Sequence, residues 1–262
     1  MSELIIKSSE NSTFKLYRKL YTNKGFRKES MQSLLDGPHL IISYIDSGGK
    51  ILELIKDASI ESSEINSIIQ SNRNVKIHSI QHDLFTKISG LNSVTGLIAL
   101  INIPTTDFIE PHGLSLLLDR IQDPGNLGGI IRTAAAAGVD SVFLSEGCND
   151  LWSPKTLRGS QGAHFSLSCY EYQNLQYLIE LFEFPVYALS IGGDSLYEVD
   201  LPKNLAIILG SEGQGISQKL VDKSDKAISI PMSQGVESLN VGSAASIIMY
   251  EYYRQSQFHV EV

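Results

Sequence analysis

Three segments of the chain gather glycines and polar side chains in patterns that a plain fold does not require. The first is Asp119-Arg-Ile-Gln-Asp-Pro-Gly-Asn-Leu-Gly-Gly-Ile-Ile-Arg-Thr-Ala134. Asp-Pro-Gly-Asn makes a turn and a helix start. Free backbone N–H groups at such a start suit an anion. Arg132 stands about one and a half turns into that helix, beyond Gly128 and Gly129 and before the small residues 134–137. A helix packed tightly on its sheet, with Arg132 snorkelling to solvent, accounts for the same residues. The second segment is Leu209-Gly-Ser-Glu-Gly-Gln-Gly-Ile-Ser217, in which an apolar run passes directly into a loop with Gly210, Gly213 and Gly215. Such glycines let backbone approach a ligand closely. The spacing is GxxGxG rather than GxGxxG, Ile230 stands about 20 residues on where an acid is needed, and GxxxxGK[ST] is absent; both common nucleotide fingerprints are excluded. A tight turn with a helix cap remains the plainer alternative. The third segment, Ile228–Val241, ends an apolar run at Pro231 and continues as a polar loop. Glu237, Ser238 and Asn240 put an acid, a hydroxyl and an amide at a helix start, where capping needs only one.

The surrounding pattern is strand alternating with helix. Strands are expected at Leu114–Leu118, Ser141–Leu144, Val186–Leu189, Leu205–Leu209 and Ala227–Ile230. Helices are expected at Leu127–Ala137, from Ser153-Pro154 onward, at Leu175–Phe182, at Ile216–Val221 and at Asn240–Gln255. This order predicts a mostly parallel α/β sheet covered on both faces, with ligands beyond the C-terminal strand ends. Residues 37–103 read as shorter mixed elements. Strands are expected at Leu40–Ile45, Val75–Ile80 and Gly96–Ile103, short helices at Ser62–Ser71 and Asp83–Ile88, and a strand or short helix at Ile51–Ile55. Pro104 and Pro111 bracket an aperiodic stretch. The chain therefore divides into an N-terminal domain 1–104, a linker 105–112 and a C-terminal domain 113–262.

Composition narrows the classes. The chain has 262 residues, 42% hydrophobic and 19% charged, which fits a folded globular protein and excludes disorder and collagen. Two cysteines, Cys148 and Cys169, make neither a disulfide scaffold nor a thiolate zinc site and suit a reducing cytosol. Met1–Glu10 lacks a basic-then-apolar leader, and the uncharged stretch Ile88–Thr106 is broken by Gly, Asn and Pro, so it is no membrane span. The net charge of −8 is uneven. Residues 1–35 carry seven Lys/Arg against three acids, leaving +4 there and −12 over the rest. A basic stretch on an acidic body is either a phosphate-binding surface, through Arg18, Lys19, Lys24, Arg27 and Lys28, or a solvated helix face. His78 and His82 stand four apart, but their surroundings alternate like a strand, and HExxH is absent, so no metal site is expected from these or from His39, His112, His164 and His259.

Taken together, the three segments resemble the three ordered motifs of the SpoU/TrmH-type RNA 2′-O-ribose methyltransferases of the SPOUT class. The resemblance covers DPGNLGGIIRTAAAAGVDSVFL at 123–144, LGSEGQGIS at 209–217 and IPMSQGVESLNV at 230–241. More loosely, Arg27–Glu29, Leu34–Gly37, Phe85 and Thr95–Ala99 are similar to the small ribosomal-protein-like RNA-binding domain that many members carry. Gln234 departs from a usual Gly, and Val241-Gly242-Ser243 from a more common Val-Ser-Val. A glycine there weakens the helix by about 1 kcal/mol relative to Ala.

This resemblance implies a C-terminal parallel-sheet domain with a deep trefoil knot, an otherwise excluded topology. It also implies a homodimer and S-adenosylmethionine as cofactor; the cytoplasmic location is expected from the cysteine usage and the N-terminal residues instead. Arg132, Asn126, Glu212, Ser238 and Asn240 take the catalytic roles. Leu189, Gly210, Glu212, Gly213, Ile230, Met232, Ser238, Leu239 and Asn240 take the cofactor, and Arg132 joins the basic N-terminal residues in holding RNA. Arg132 orients the 2′-hydroxyl; a guanidinium stays protonated in proteins and is a poor general base. The expected substrate is large-subunit rRNA, with tRNA second. The alternative is a catalytically silent, knotted RNA-binding dimer, which the intact motif residues oppose.

Overall fold

The computed structural model describes residues 5–91, 93–105 and 107–258; His259 lies outside them. In chain order the first part runs β1 (Ile5–Ile6), α1 (Ser12–Thr22), α2 (Lys24–Ser30), β2 (Gln32–Asp36), α3 (Pro38–Asp46), β3 (Ile51–Asp57), α4 (Ser63–Ser71), β4 (Lys76–Ile80), α5 (His82–Ser89) and β5 (Leu97–Asn102). There follow β6 (Leu114–Asp119), α6 (Pro124–Ala136), β7 (Ser141–Ser145), α7 (Pro154–Ser160) and β8 (Ser168–Gln173). The chain continues through α8 (Leu175–Leu181), β9 (Val186–Ser195), β10 (Leu205–Gly210), α9 (Gln218–Lys223), β11 (Lys226–Ser229) and α10 (Val241–Phe258). Two compact units result: residues 1–105 with 152–165, and residues 106–151 with 166–262. No helix among the described residues is long and apolar enough to cross a membrane.

The first unit is built on a mixed five-stranded sheet ordered β1-β4-β3-β5-β2, with β2–β5 and β3–β5 antiparallel. Asn11 caps α1, and Phe14, Tyr17 and Leu20, three apart, place one helix face in the core with Phe85 and Ile98. Two expectations fail here. Leu40–Ile45 is not a strand but the body of α3, which Pro38 opens at its first helical position after a left-handed Gly37 (φ +115°). The run of isoleucines there looks like a strand because α3 buries Leu40, Ile41 and Tyr44. Second, the segment 152–165, assigned from the sequence to the C-terminal part, packs with the first unit. Ser33 Oγ donates to the Trp152 carbonyl at 2.6 Å. Arg158 on α7 donates to the buried Asp36 at 3.1 Å, and Asp36 also accepts from Ser89 and Thr95 at 2.7 Å each.

The second unit is a six-stranded sheet, parallel throughout, ordered β11-β9-β10-β6-β7-β8. All six residues of β6 are buried, as in a strand covered on both faces. Strand β9 runs past its expected end at Leu189 to Ser195. A Cβ at Gly193 would stand 2.5 Å from the Ala227 carbonyl carbon, so glycine permits the extension to lie on β11, where the register shifts. Strand β8 and helices α1 and α2 are further elements beyond those expected, although the spacing of Phe14, Tyr17 and Leu20 is helical in α1.

Candidate active site

The three polar segments meet at the C-terminal ends of the parallel strands of the second unit. Asp123 caps α6, its Oδ1 accepting from the Asn126 backbone N–H at 2.7 Å. This leaves the Asn126 side chain for other partners. Its Nδ2 donates to Glu212 Oε1 in the glycine loop. Its Oδ1 accepts from Asn240 Nδ2 at 3.1 Å. Asn240 in turn caps α10, its Oδ1 accepting from the N–H groups of Gly242 (3.0 Å) and Ser243 (3.3 Å). One carboxylate and two amides therefore join residues 86 and 114 positions apart. The unusual Gly242 fits this pairing: a Cβ there would lie 3.2 Å from Asn240 Oδ1 and 3.7 Å from Asn126 Oδ1.

Beside this chain of amides lies a cavity of ≈ 620 Å³, within the range of small-molecule sites. Leu189, Gly210, Glu212, Gly213, Ile230, Met232, Ser238 and Leu239 all line it. Asn240, expected at the cofactor, is not among the lining residues, and neither are Asn126 and Arg132. Its amide ties α10 to α6. Sequence patterns passed over Ser190 and Gln218, which also line the cavity with Glu237, the acid of the third segment. Neither Ser190 nor Gln218 stands in a pattern that marks it. Gly210 makes the wall possible. A Cβ there would run into the Gly215 carbonyl and the Ile216 nitrogen, where the loop doubles back through a bridge between Ser211 and Gly215.

Arg132 is exposed on α6, and none of the hydrogen bonds or ion pairs among the described residues engages it. Gly129 stands between Asn126 and Arg132 around the helix, and nothing lies within 4 Å of where its Cβ would be. The bareness of α6 at this position therefore does not serve packing on the sheet. Cys148 is structural. Its thiol donates to the Leu118 carbonyl at 3.2 Å, and burial pushes it up from the usual thiol range.

Of the basic N-terminal residues, Arg18, Lys19 and Lys28 are exposed and Lys24 is half-buried. The Lys19 ammonium sits 4.0 Å from the Phe26 ring centre. Arg27 must be withdrawn from the RNA-binding set. It is buried, and its Nη1 donates to the carbonyls of Leu20 and, at 3.1 Å, Tyr21. It fastens the carbonyl end of α1, where a cation is favoured. His78 and His82 face different partners: His82 Nδ1 is 2.7 Å from Asp57, and His78 Nε2 is 3.6 Å from Glu53.

A glycine-walled cavity beyond parallel strand ends, served by three converging loops, defines a ligand-binding α/β domain of the enzyme type. Residues 113–250 match the model of the SpoU rRNA Methylase family, and the chain belongs to that family. It is 33% identical to the 23S rRNA (guanosine(2553)-2'-O)-methyltransferase RlmP of Bacillus subtilis (strain 168), over 94% of this chain and 97% of that protein. Its fold is similar to that of the SpoU methyltransferase AviRb from Streptomyces viridochromogenes, solved in complex with the cofactor AdoMet. The TM-score is 0.83 at 25% identity, covering 94% of this chain and 98% of that one. A solved RNA 2'-O ribose methyltransferase superposes with a TM-score of 0.85 at 26% identity, over 97% and 99% of the two chains.

Proposed function

We propose that this protein is an S-adenosylmethionine-dependent RNA 2′-O-ribose methyltransferase acting on large-subunit rRNA. The observation that carries the reading is the Glu212–Asn126–Asn240 chain, which fixes all three motif segments around one cavity. The cavity suits the cofactor by its chemistry. Leu189, Ile230 and Leu239 offer apolar walls for an adenine, the glycine loop offers backbone, and Glu212 and Glu237 offer negative charge to a cation. When bound, the cofactor supplies a methyl group on a sulfonium that is already a good leaving group. The protein's task is then to align the ribose oxygen and manage one proton, and alignment of this kind supplies several kcal/mol.

In this reading Arg132 binds an RNA phosphate and orients the 2′-hydroxyl. The open space at Gly129 supports it, because a ribose-phosphate backbone needs room beside α6. Ser238 lines the cavity and holds the cofactor loop. Asn126, Glu212 and Asn240 act as positioning residues through their shared hydrogen bonds. The preference for rRNA over tRNA rests on the B. subtilis relative, whose name assigns it to 23S rRNA, and on the basic N-terminal face. The first unit is the RNA-binding domain, the C-terminal domain carries the trefoil knot of the class, and the protein works in the cytoplasm. It is a homodimer, a reading that the exposed Tyr250 and Tyr253 on α10 support.

Labelled methyl transfer from S-adenosylmethionine to unmodified rRNA and tRNA, offered separately and followed by nucleoside analysis, tests the proposal. A 2′-O-methylated nucleoside from rRNA is expected. A base-methylated product overturns the ribose assignment. Cofactor binding without transfer to either pool redirects the reading to an assembled ribosomal particle. Absence of both favours the silent RNA-binding dimer.

A further inference from the structure

The glycine loop 211–217 is held by two residues at the start of the first segment to which no site role was given. Strand β6 ends on Asp119, which is buried. Its carboxylate accepts from Arg120 Nε and Nη2 at 3.1 Å each and from the Ser217 backbone N–H at 2.8 Å. Arg120 then reaches the loop itself. Its Nη1 donates to Gln214 Oε1 at 2.8 Å and its Nη2 to the Gly215 carbonyl at 3.5 Å.

Arg120 does this from a backbone conformation that a non-glycine residue seldom adopts, φ +58°. The turn is held by its surroundings. The Arg120 N–H donates to Ser145 Oγ at 2.9 Å. Gly147 supplies clearance, since a Cβ there would stand 2.6 Å from Arg120 Cγ. Strain of this kind persists only where neighbours over-determine it. Here it lays the planar guanidinium along the loop, where its fork serves a carboxylate and two loop oxygens together, a geometry that a lysine cannot reproduce.

The same loop lines the cavity from Ser211 to Ile216, including the Gln214 and Gly215 that Arg120 holds, whereas Asp119 and Arg120 are not among the lining residues. We propose that the Asp119–Arg120 pair is a positioning clamp that holds the glycine loop in its cofactor-ready shape before binding. This rests on the reading of the cavity as the S-adenosylmethionine site. A loop ordered beforehand does not lose that freedom on binding, so the clamp acts on affinity rather than on the methyl-transfer step.

Arg120→Gln tests this, because it keeps a Cβ, and with it the same backbone strain, while removing the fork. Three readouts separate the cases: calorimetric binding of S-adenosylhomocysteine, transfer kinetics, and amide hydrogen exchange of the ligand-free protein. Expected are about ten-fold weaker binding and a matching rise in KM for S-adenosylmethionine. The expected kcat stays within about three-fold, and amide exchange speeds up at Gly215 and Ser217 beyond any change in the rest of the chain, while the melting temperature falls because buried Asp119 loses its cation. Unchanged affinity with unchanged exchange overturns the clamp, as does a fall in kcat at constant KM. Should the glutamine variant fail to fold, Arg120→Lys keeps charge beside Asp119 but loses the fork. Faster exchange at Gly215 then supports the clamp, and unaltered exchange overturns it. A wild-type protein that binds no S-adenosylhomocysteine removes the cofactor reading instead, and its ligand-free exchange pattern still decides whether Arg120 orders the loop.

Discussion

The two units differ in where they leave charge uncovered. The first buries ionisable side chains against partners of its own: Asp36 with Arg158, Asp57 with His82 and Ser59, and Arg27 on carbonyls. The second does this once beside its site, at Asp119 with Arg120, and otherwise exposes Glu212, Glu237, Ser238 and Arg132 around one cavity and helix. A buried charge must be fully partnered because desolvation is costly; an exposed one beside a cavity keeps its capacity for something that arrives. Polar residues in the first unit therefore read mainly as structure, and those at the strand ends of the second as chemistry.

Arg132→Ala puts the sharpest strain on this contrast. Methyl transfer should fall by about 10³-fold, the scale of lost orientation and proton management. Cofactor affinity and melting temperature should hold, since Arg132 has no partner among the described residues to lose. Equal loss of transfer and cofactor binding in a calorimetric and kinetic comparison would show a structural residue, and the contrast would break.

Asp36→Ala is the counterpart in the first unit. It strands Arg158, Ser89 and Thr95 around a buried gap. Breaking one side of such a pair costs about 3–5 kcal/mol, read as a lower denaturant midpoint. Transfer per folded molecule should not change. A mild effect on unfolding, below about 1 kcal/mol, would mean that the network is solvated and the first unit's charges are not structural glue.

Gly210→Ala probes the second unit's backbone. The added methyl collides with the Gly215 and Ile216 backbone rather than with a movable side chain, so the loop must shift. Cofactor binding should weaken by about 10- to 100-fold, equivalent to roughly 1.4–2.8 kcal/mol. Wild-type affinity would show that the glycine serves only the turn.

How far the sequence carries follows the same division. Motif residues separated by long stretches announce themselves because their types exceed what capping or turning needs, as at Glu237, Ser238 and Asn240. Residues whose role depends on a distant partner do not. Arg158 and Asp36 are 122 positions apart, so the attachment of α7 to the first unit leaves no local spacing to read. Arg27 sits within a basic run and differs from Lys28 only in which helix face it occupies, a fact fixed by packing. Asp119 and Arg120 lie inside the first segment, but their function is a φ value and a pair of loop oxygens. The extension of β9 hides in Gly192-Gly193-Asp194, residues that argue against a strand until the close approach to β11 explains the glycines.

The basic N-terminal face yields the smallest effect and the finest version of the contrast. Arg18 is exposed on α1, and Arg27 lies buried at the carbonyl end of that helix. If the face tracks RNA phosphates, Arg18→Ala lowers affinity modestly and reduces the slope of log affinity against log salt by about 1, with stability unchanged. Arg27→Ala should do the reverse. It leaves the Leu20 and Tyr21 carbonyls without their cation and lowers stability by about 1–3 kcal/mol, while the salt slope of the folded fraction stays put. Filter binding of rRNA fragments over a salt series, beside denaturant melts of both variants, separates two arginines nine residues apart by a quantity each moves and the other does not. A salt slope that drops equally in both would return Arg27 to the RNA surface and erase the line between the structural and the functional charge.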